Sequence, residues 1–220
     1  LMSNAPRPSK NVEKFLLNLK MNKTFTKNIF TSGEAAIKSI QSSRYGKNFY
    51  HLGPERDNSL FEGLEKNKRS IEEADFILCT GFLETEEDSL NFYKNLLKKH
   101  IGLKMICTNP DLIVNRGSKK EYCAGTLAAI FQELGGEVIY FGKPYPEIYK
   151  FCTNKDEKVL VVGDNIRTDI KGANNMKFDS LFITDGIHRN EFMNLTFEKY
   201  DRILENYGVR TNFFQKKLTW

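Results

Sequence analysis

Short apolar runs separated by stretches of helical periodicity recur along this 220-residue chain. Residues 48–53 and 75–80, Met105–Cys107, Val138–Phe141, Val159–Val162 and Leu181–Ile183 read as strands. Phe76-Ile77-Leu78-Cys79 is apolar at every position, the pattern of a strand buried on both faces of a sheet. Between the strands, apolar residues fall at i, i+3, i+4 and i+7. Val12, Phe15, Leu16 and Leu19 predict a helix packed on one face. Leu90, Tyr93 and Leu97 predict another, and Leu127, Ile130, Phe131 and Leu134 a third that stops at Gly135-Gly136. Ile29-Phe30 reads as a short strand leading into a capping box, Thr31 with Glu34, and a helix through Ala36, Ile37 and Ile40. Phe197–Tyr207 reads as a late helix, and the last five residues as a tail. Strands alternating with helices specify βαβ units and parallel sheets.

Composition narrows the class. With 40% hydrophobic and 28% charged residues, the chain can bury a core and is not biased toward disorder. No run approaches the ~18–20 apolar residues of a membrane helix, and no secretory leader pattern opens the chain. The net charge of +5 is spread over the whole sequence. A nucleic-acid surface would need a basic stripe with interleaved aromatics, so neither a membrane nor a nucleic acid is an expected partner. Cys79, Cys107, Cys123 and Cys152 fit no metal-binding spacing. They are expected as reduced thiols in a cytoplasmic protein. The chain begins with Leu1, and Leu1-Met2 running into Ser3-Asn4-Ala5-Pro6 resembles the tail of a strand that began earlier. It is read as a fragment or a truncated reading frame.

Three strand ends carry candidate chemistry. Val161-Val162-Gly163-Asp164-Asn165-Ile166-Arg167-Thr168-Asp169 closes a strand with two carboxylates five residues apart. In an open parallel sheet the carboxyl ends of strands line the ligand crevice, and hard carboxylate oxygen suits Mg²⁺. The alternative for Asp164 is capping of the following helix. Gly142-Lys143-Pro144-Tyr145-Pro146 follows another strand and offers Lys143 as a point charge for a phosphoryl group, with Pro146 suited to a first helical turn. Ser3-Asn4-Ala5-Pro6-Arg7 places a hydroxyl at a strand end before a helix, a phosphate-binding arrangement.

In this order the three segments resemble motifs II, III and IV of the haloacid dehalogenase superfamily. The stretch from Val162 to Ile170 with Gly172-Ala173-Asn174, together with Gly142-Lys143-Pro144 and Thr108-Asn109-Pro110-Asp111, is similar to its class IIA (NagD-like) branch. The resemblance covers roughly residues 1–190 and implies an α/β fold. It implies a Rossmann-like core with a parallel sheet, its first strand missing, plus an inserted α/β cap domain. The expected divisions are 1–45 as the N-terminal part of the core, 46–138 as the cap, and 139–220 as the rest of the core with the tail.

The resemblance further implies a Mg²⁺-dependent phosphatase of a small phosphorylated metabolite, a sugar phosphate or a nucleotide, acting through an aspartyl-phosphate. Asp164 would hold the metal. Ser3 and Asn4 would bind the phosphoryl group, Lys143 would neutralise it, and Asp169 would orient Lys143 or a metal-bound water. Asn109 and Asp111 would face the substrate from the cap, and a homodimer is among the expectations. The family's motif I, an Asp-x-Asp pair that supplies nucleophile and acid/base, occurs nowhere in the sequence. The alternative is therefore a non-catalytic remnant that binds an anion or a partner. A dinucleotide-binding protein, a P-loop protein and a serine hydrolase each need a glycine-bearing motif that is absent.

Overall fold

The computed structural model describes residues 1–86, 89–116, 119–154 and 156–219. The chain divides into two compact units, Leu1–Gly142 and Lys143–Trp220.

The first unit opens with β1 (Met2–Ser3), α1 (Ser9–Asn18), β2 (Phe30–Thr31) and α2 (Ser32–Ile40). β1 and β2 pair in parallel. Thr31 caps α2, its hydroxyl accepting the Glu34 N–H at 3.2 Å. The return arm of the expected capping box is not made. The Glu34 carboxylate instead accepts the backbone N–H and the hydroxyl of Ser9, each at 2.8 Å, and so ties the start of α1 to α2.

The unit continues with β3 (Phe49–Leu52), β4 (Phe76–Cys79), α3 (Leu90–Lys98), β5 (Lys104–Cys107), β6 (Ile113–Arg116), β7 (Lys119–Tyr122), α4 (Ala124–Glu133) and β8 (Glu137–Tyr140). β3, β4, β5 and β8 form a parallel sheet in that order. All four residues of β4 are buried, as its unbroken apolar run requires. Ile77, Met105, Tyr93, Leu97, Leu127 and Phe131 are fully buried and join this sheet to α3 and α4. The antiparallel hairpin of β6 and β7 has no counterpart in the sequence reading. Its residues are mostly polar and lack the apolar alternation that marks a half-buried strand.

α1 departs from expectation. None of its residues is buried, and Phe15 is 60% exposed. Its apolar face does not enter a core; Val12, Phe15 and Leu16 line a cavity instead.

The second unit comprises α5 (Pro146–Cys152), β9 (Leu160–Gly163), α6 (Lys171–Met176), β10 (Asp179–Ile183), α7 (Arg189–Phe192), α8 (Phe197–Asn206) and β11 (Phe213–Gln215). Its sheet is parallel, in the order β11-β10-β9. Pro146 occupies the first turn of α5, where its missing N–H costs nothing. Ile166, Ile170, Phe182, Phe192, Leu204 and Val209 form the core. β11, unforeseen in the sequence, adds a third strand beside β10. β9 is the other edge strand of this sheet and leaves Leu160 and Val162 exposed. No helix among the described residues is long and apolar enough to cross a membrane.

Candidate functional site

In the first unit, β1 ends at Ser3, whose hydroxyl accepts the Ala5 N–H at 3.2 Å and folds the chain into a turn. Asn4, buried in that turn, donates from Nδ2 to Asp111 Oδ1 at 3.1 Å. Asn109, just past β5, accepts the Asp111 N–H through Oδ1 at 3.0 Å. Ser32, at the start of α2, donates its hydroxyl to the Thr108 carbonyl. Gly142 follows β8 with φ +107°, and a Cβ there would lie 2.7 Å from Pro110 Cδ and 2.8 Å from Asn4 Oδ1. Only glycine permits that backbone and that approach. The ends of β1, β5 and β8 therefore converge, which brings Ser3, Asn4, Asn109 and Asp111 into one place.

All four residues line a cavity of about 690 Å³. Its lining also includes the aromatic rings of Phe15, Phe82 and Tyr122 and the charged side chains of Arg7, Arg56, Asp57 and Glu121. Phe82 and Tyr122 stack with ring centroids 5.7 Å apart. A concave site that combines apolar surface with convergent polar groups suits a small molecule.

In the second unit, Lys143 Nζ lies 2.6 Å from Asp169 Oδ1, and both side chains are largely buried. The other oxygen of Asp169 accepts the Asn165 N–H at 3.1 Å. The capping role that competed for Asp164 belongs to its neighbour: Asn165 Oδ1 accepts the Arg167 N–H at 2.9 Å and opens the helical turn Ile166–Ile170. Asp164 instead reaches across to the segment after β10, where its Oδ2 accepts the Ile187 N–H at 3.0 Å. It stands one residue past the carboxyl end of β9, held by one oxygen.

Among the described residues no group of three His, Cys, Asp or Glu side chains could enclose a metal. A site that lends one carboxylate still fits Mg²⁺, which keeps several waters and takes its remaining ligands from substrate phosphate. Asp164, held through one oxygen at the end of β9, is the residue of this unit that could lend it. Burial pushes the Cys79 thiol up and that of Cys107 to about 12, so neither is poised as a thiolate nucleophile.

Four residues of the first unit escaped the sequence reading in this role: Arg7, His51, Asp57 and Thr80. They form one chain of polar contacts. Arg7 Nε donates to Asp57 Oδ1 at 2.9 Å, the Thr80 hydroxyl lowers the Asp57 pKa against its burial, and His51 Nε2 lies 2.9 Å from Thr80 Oγ1. His51 and Thr80 sit at the carboxyl ends of β3 and β4, and apart from the proximity of Arg7 to Ser3 no spacing in the sequence signals the cluster.

Burial, with Lys68 adding to it, lowers the His51 pKa from 6.5 to about 4. Between those values the unfolded chain binds a proton that the folded chain excludes. The stability gained by keeping His51 neutral is therefore complete above pH 6.5 and is lost as pH falls toward 4. The loss is on the order of 3 kcal/mol at about 1.4 kcal/mol per unit. Urea denaturation at pH 7 and 4.5 should show a drop about 2–3 kcal/mol smaller in His51→Gln than in the unsubstituted chain.

A family model described as HAD-hydrolase-like matches residues 140–208. Ribonucleotide monophosphatase NagD of Escherichia coli K12 is 32% identical over 91 residues, 39% of this chain, and the match spans about a third (35%) of the NagD chain. The 5'-nucleotidase YutF of Bacillus subtilis is 24% identical over 204 residues, covering 90% of this chain and 77% of that protein. A hydrolase of the haloacid dehalogenase-like family from Brucella suis 1330 superposes with a TM-score of 0.82 at 28% identity, over 100% of this chain and 82% of that one. These matches and the strand-end residues together support a NagD-like hydrolase of the haloacid dehalogenase-like kind, with the family model matching residues 140–208 and the fold shared along the chain.

Proposed function

We propose that this chain is the greater part of a Mg²⁺-dependent phosphatase that hydrolyses a small phosphorylated metabolite, a sugar phosphate or a nucleotide. The observation that carries the reading is the largely buried Lys143–Asp169 pair, 2.6 Å apart, in the same unit as Asp164 at the end of β9. A lysine held by a carboxylate keeps its position, which is what neutralising a transferring phosphoryl group requires. The names of the relatives, a ribonucleotide monophosphatase and a 5'-nucleotidase, support the same reaction class.

The roles follow from the chemistry of each group. Ser3 and Asn4 hydrogen-bond the phosphoryl oxygens. Lys143 offsets their charge and Asp169 orients Lys143. Asn109 and Asp111 meet the leaving group from the 46–138 segment, which acts as the cap. Asp164 would be the protein's carboxylate to Mg²⁺, and the bound metal would supply Lewis-acid polarisation of the phosphoryl oxygens. The attacking aspartate and its acid/base partner are not among these residues, since no Asp-x-Asp occurs in the sequence. We place them on a strand that pairs with β9, whose exposed Leu160 and Val162 offer an unpaired apolar edge.

The test compares two proteins, each with Mg²⁺ and a panel of phosphate monoesters. The chain alone should bind inorganic phosphate by calorimetry and show no turnover above background. The chain joined to a strand bearing Asp-x-Asp should hydrolyse the esters and lose that activity with chelator. Failure of the joined protein to hydrolyse any ester would leave the anion-binding remnant as the better reading.

A further inference from the structure

The polar chain from Arg7 to His51 is not used by the reaction assigned above, yet three of its four members line the cavity. Asp57 is its centre. Its side chain is 3% exposed, and burial raises its pKa against the opposing influence of Arg7. A buried carboxylate is costly unless paired and hydrogen-bonded. Here one oxygen takes Arg7 Nε at 2.9 Å, and the nearby Thr80 hydroxyl also opposes the rise in its pKa. Thr80 Oγ1 hydrogen-bonds His51 Nε2 at 2.9 Å. Burial keeps that imidazole neutral. The packing leaves no slack, since a Cβ on Gly53 would fall 1.9 Å from Thr80 Oγ1 and 3.0 Å from His51 Nε2.

What this scaffold holds is a guanidinium. The Arg7 side chain is 37% exposed, against 3% for its partner. Only Nε is engaged with Asp57, and among the described residues the two terminal nitrogens have no hydrogen-bond partner. Arg56 also lines the cavity and acts on the Asp57 charge. Asp111 and Glu121 also line the cavity, so the Arg7 fork, rather than an excess of positive charge, is what this wall offers. A planar fork of N–H donors without partners among the described residues matches a carboxylate, which accepts two parallel hydrogen bonds.

We propose that Arg7 is a specificity-determining residue that binds a carboxylate on the leaving group of the phosphorylated substrate, with Asp57 as its positioning residue. The proposal rests on the phosphatase reading, in which Ser3 and Asn4 take the phosphoryl group and leave Arg7, in the same cavity, for the rest of the molecule. The substrate class is then a phosphorylated small acid rather than a neutral sugar phosphate.

The experiment is calorimetric binding to the full chain with three probes: inorganic phosphate, glycerol 3-phosphate and 3-phosphoglycerate. The two esters differ in carrying a hydroxymethyl or a carboxylate group. The unsubstituted chain should bind 3-phosphoglycerate about 10- to 100-fold more tightly than glycerol 3-phosphate, the range expected of charge-assisted hydrogen bonds. Arg7→Met should erase that preference while inorganic phosphate binds as before. Asp57→Asn should erase most of it, and Arg7→Lys should restore part. Equal binding of the two esters, or a preference that survives Arg7→Met, overturns the proposal. A purely structural pin would lower the melting temperature of Arg7→Met and leave the ratio of the two esters intact, which also overturns it. Should Arg7→Met not fold, Arg7→Lys decides: a preference kept in full counts against Arg7. Phosphate bound without preference between the esters refutes the role of Arg7 alone. A chain that binds none of the three probes refutes the phosphatase reading itself.

Discussion

Replacing Lys143 with methionine is expected to destabilise the second unit by about 3–5 kcal/mol, the cost of breaking a buried ion pair by removing one partner. The pair is 2.6 Å long, and its side chains are 17% and 9% exposed, so solvent does little to screen the charge left behind. Among the described residues Asp169 would keep only the Asn165 N–H, at 3.1 Å, as a hydrogen-bond partner. That single bond does not offset a buried carboxylate. The double substitution Lys143→Met, Asp169→Leu removes both charges and should recover most of the loss, because apolar residues of similar size replace a buried pair at little net cost. Urea denaturation of the three proteins measures this. Phosphate binding should be lost in both variants, which separates what the lysine does for the fold from what it does for the anion.

Asp164→Asn should have the opposite profile. Its carboxylate is held through one oxygen by the Ile187 N–H at 3.0 Å, and an asparagine carbonyl can accept the same bond. Stability should therefore change by less than about 1 kcal/mol. Mg²⁺ binding should vanish, because a neutral amide is a poor ligand for a hard divalent cation that draws on one or two carboxylates. Titration calorimetry with Mg²⁺, on the chain alone and on the chain joined to an Asp-x-Asp strand, measures it. Unchanged metal affinity would remove Asp164 from the metal site. A large loss of stability would mean that its charge serves the segment after β10 instead.

Much of the fold was legible because its strands are buried on both faces. Phe76–Cys79 must be apolar at every position to sit in the middle of a sheet, and such a run is visible without knowing its neighbours. The hairpin of Ile113–Arg116 and Lys119–Tyr122, and the strand Phe213–Gln215, were not legible. The hairpin pairs only with itself and β11 is an edge strand, so neither needs a strict apolar pattern. α1 shows the converse failure. Its apolar residues are spaced as for a core, but the face they make borders a cavity, and periodicity reports amphipathicity without saying what the face meets. Thr31 and Glu34 fell between the two cases. The cap formed as read, and the tertiary approach of Ser9 then claimed the glutamate.

By itself, the sequence determined the alternation of strands and helices and the positions of Ser3, Asn109, Lys143 and Asp164 at or near strand ends, because burial and turn chemistry act within a few residues. It also carried the resemblance that named the superfamily. Only the tertiary structure decided that Asp169 holds Lys143, that Asn165 rather than Asp164 caps the following turn, and that Asp57 fixes Arg7. The partners in the first and last of these pairs are 26 and 50 residues apart. A hydrogen bond is specific to within a few tenths of an ångström, and which distant carboxylate comes that close depends on how the strands are ordered and packed.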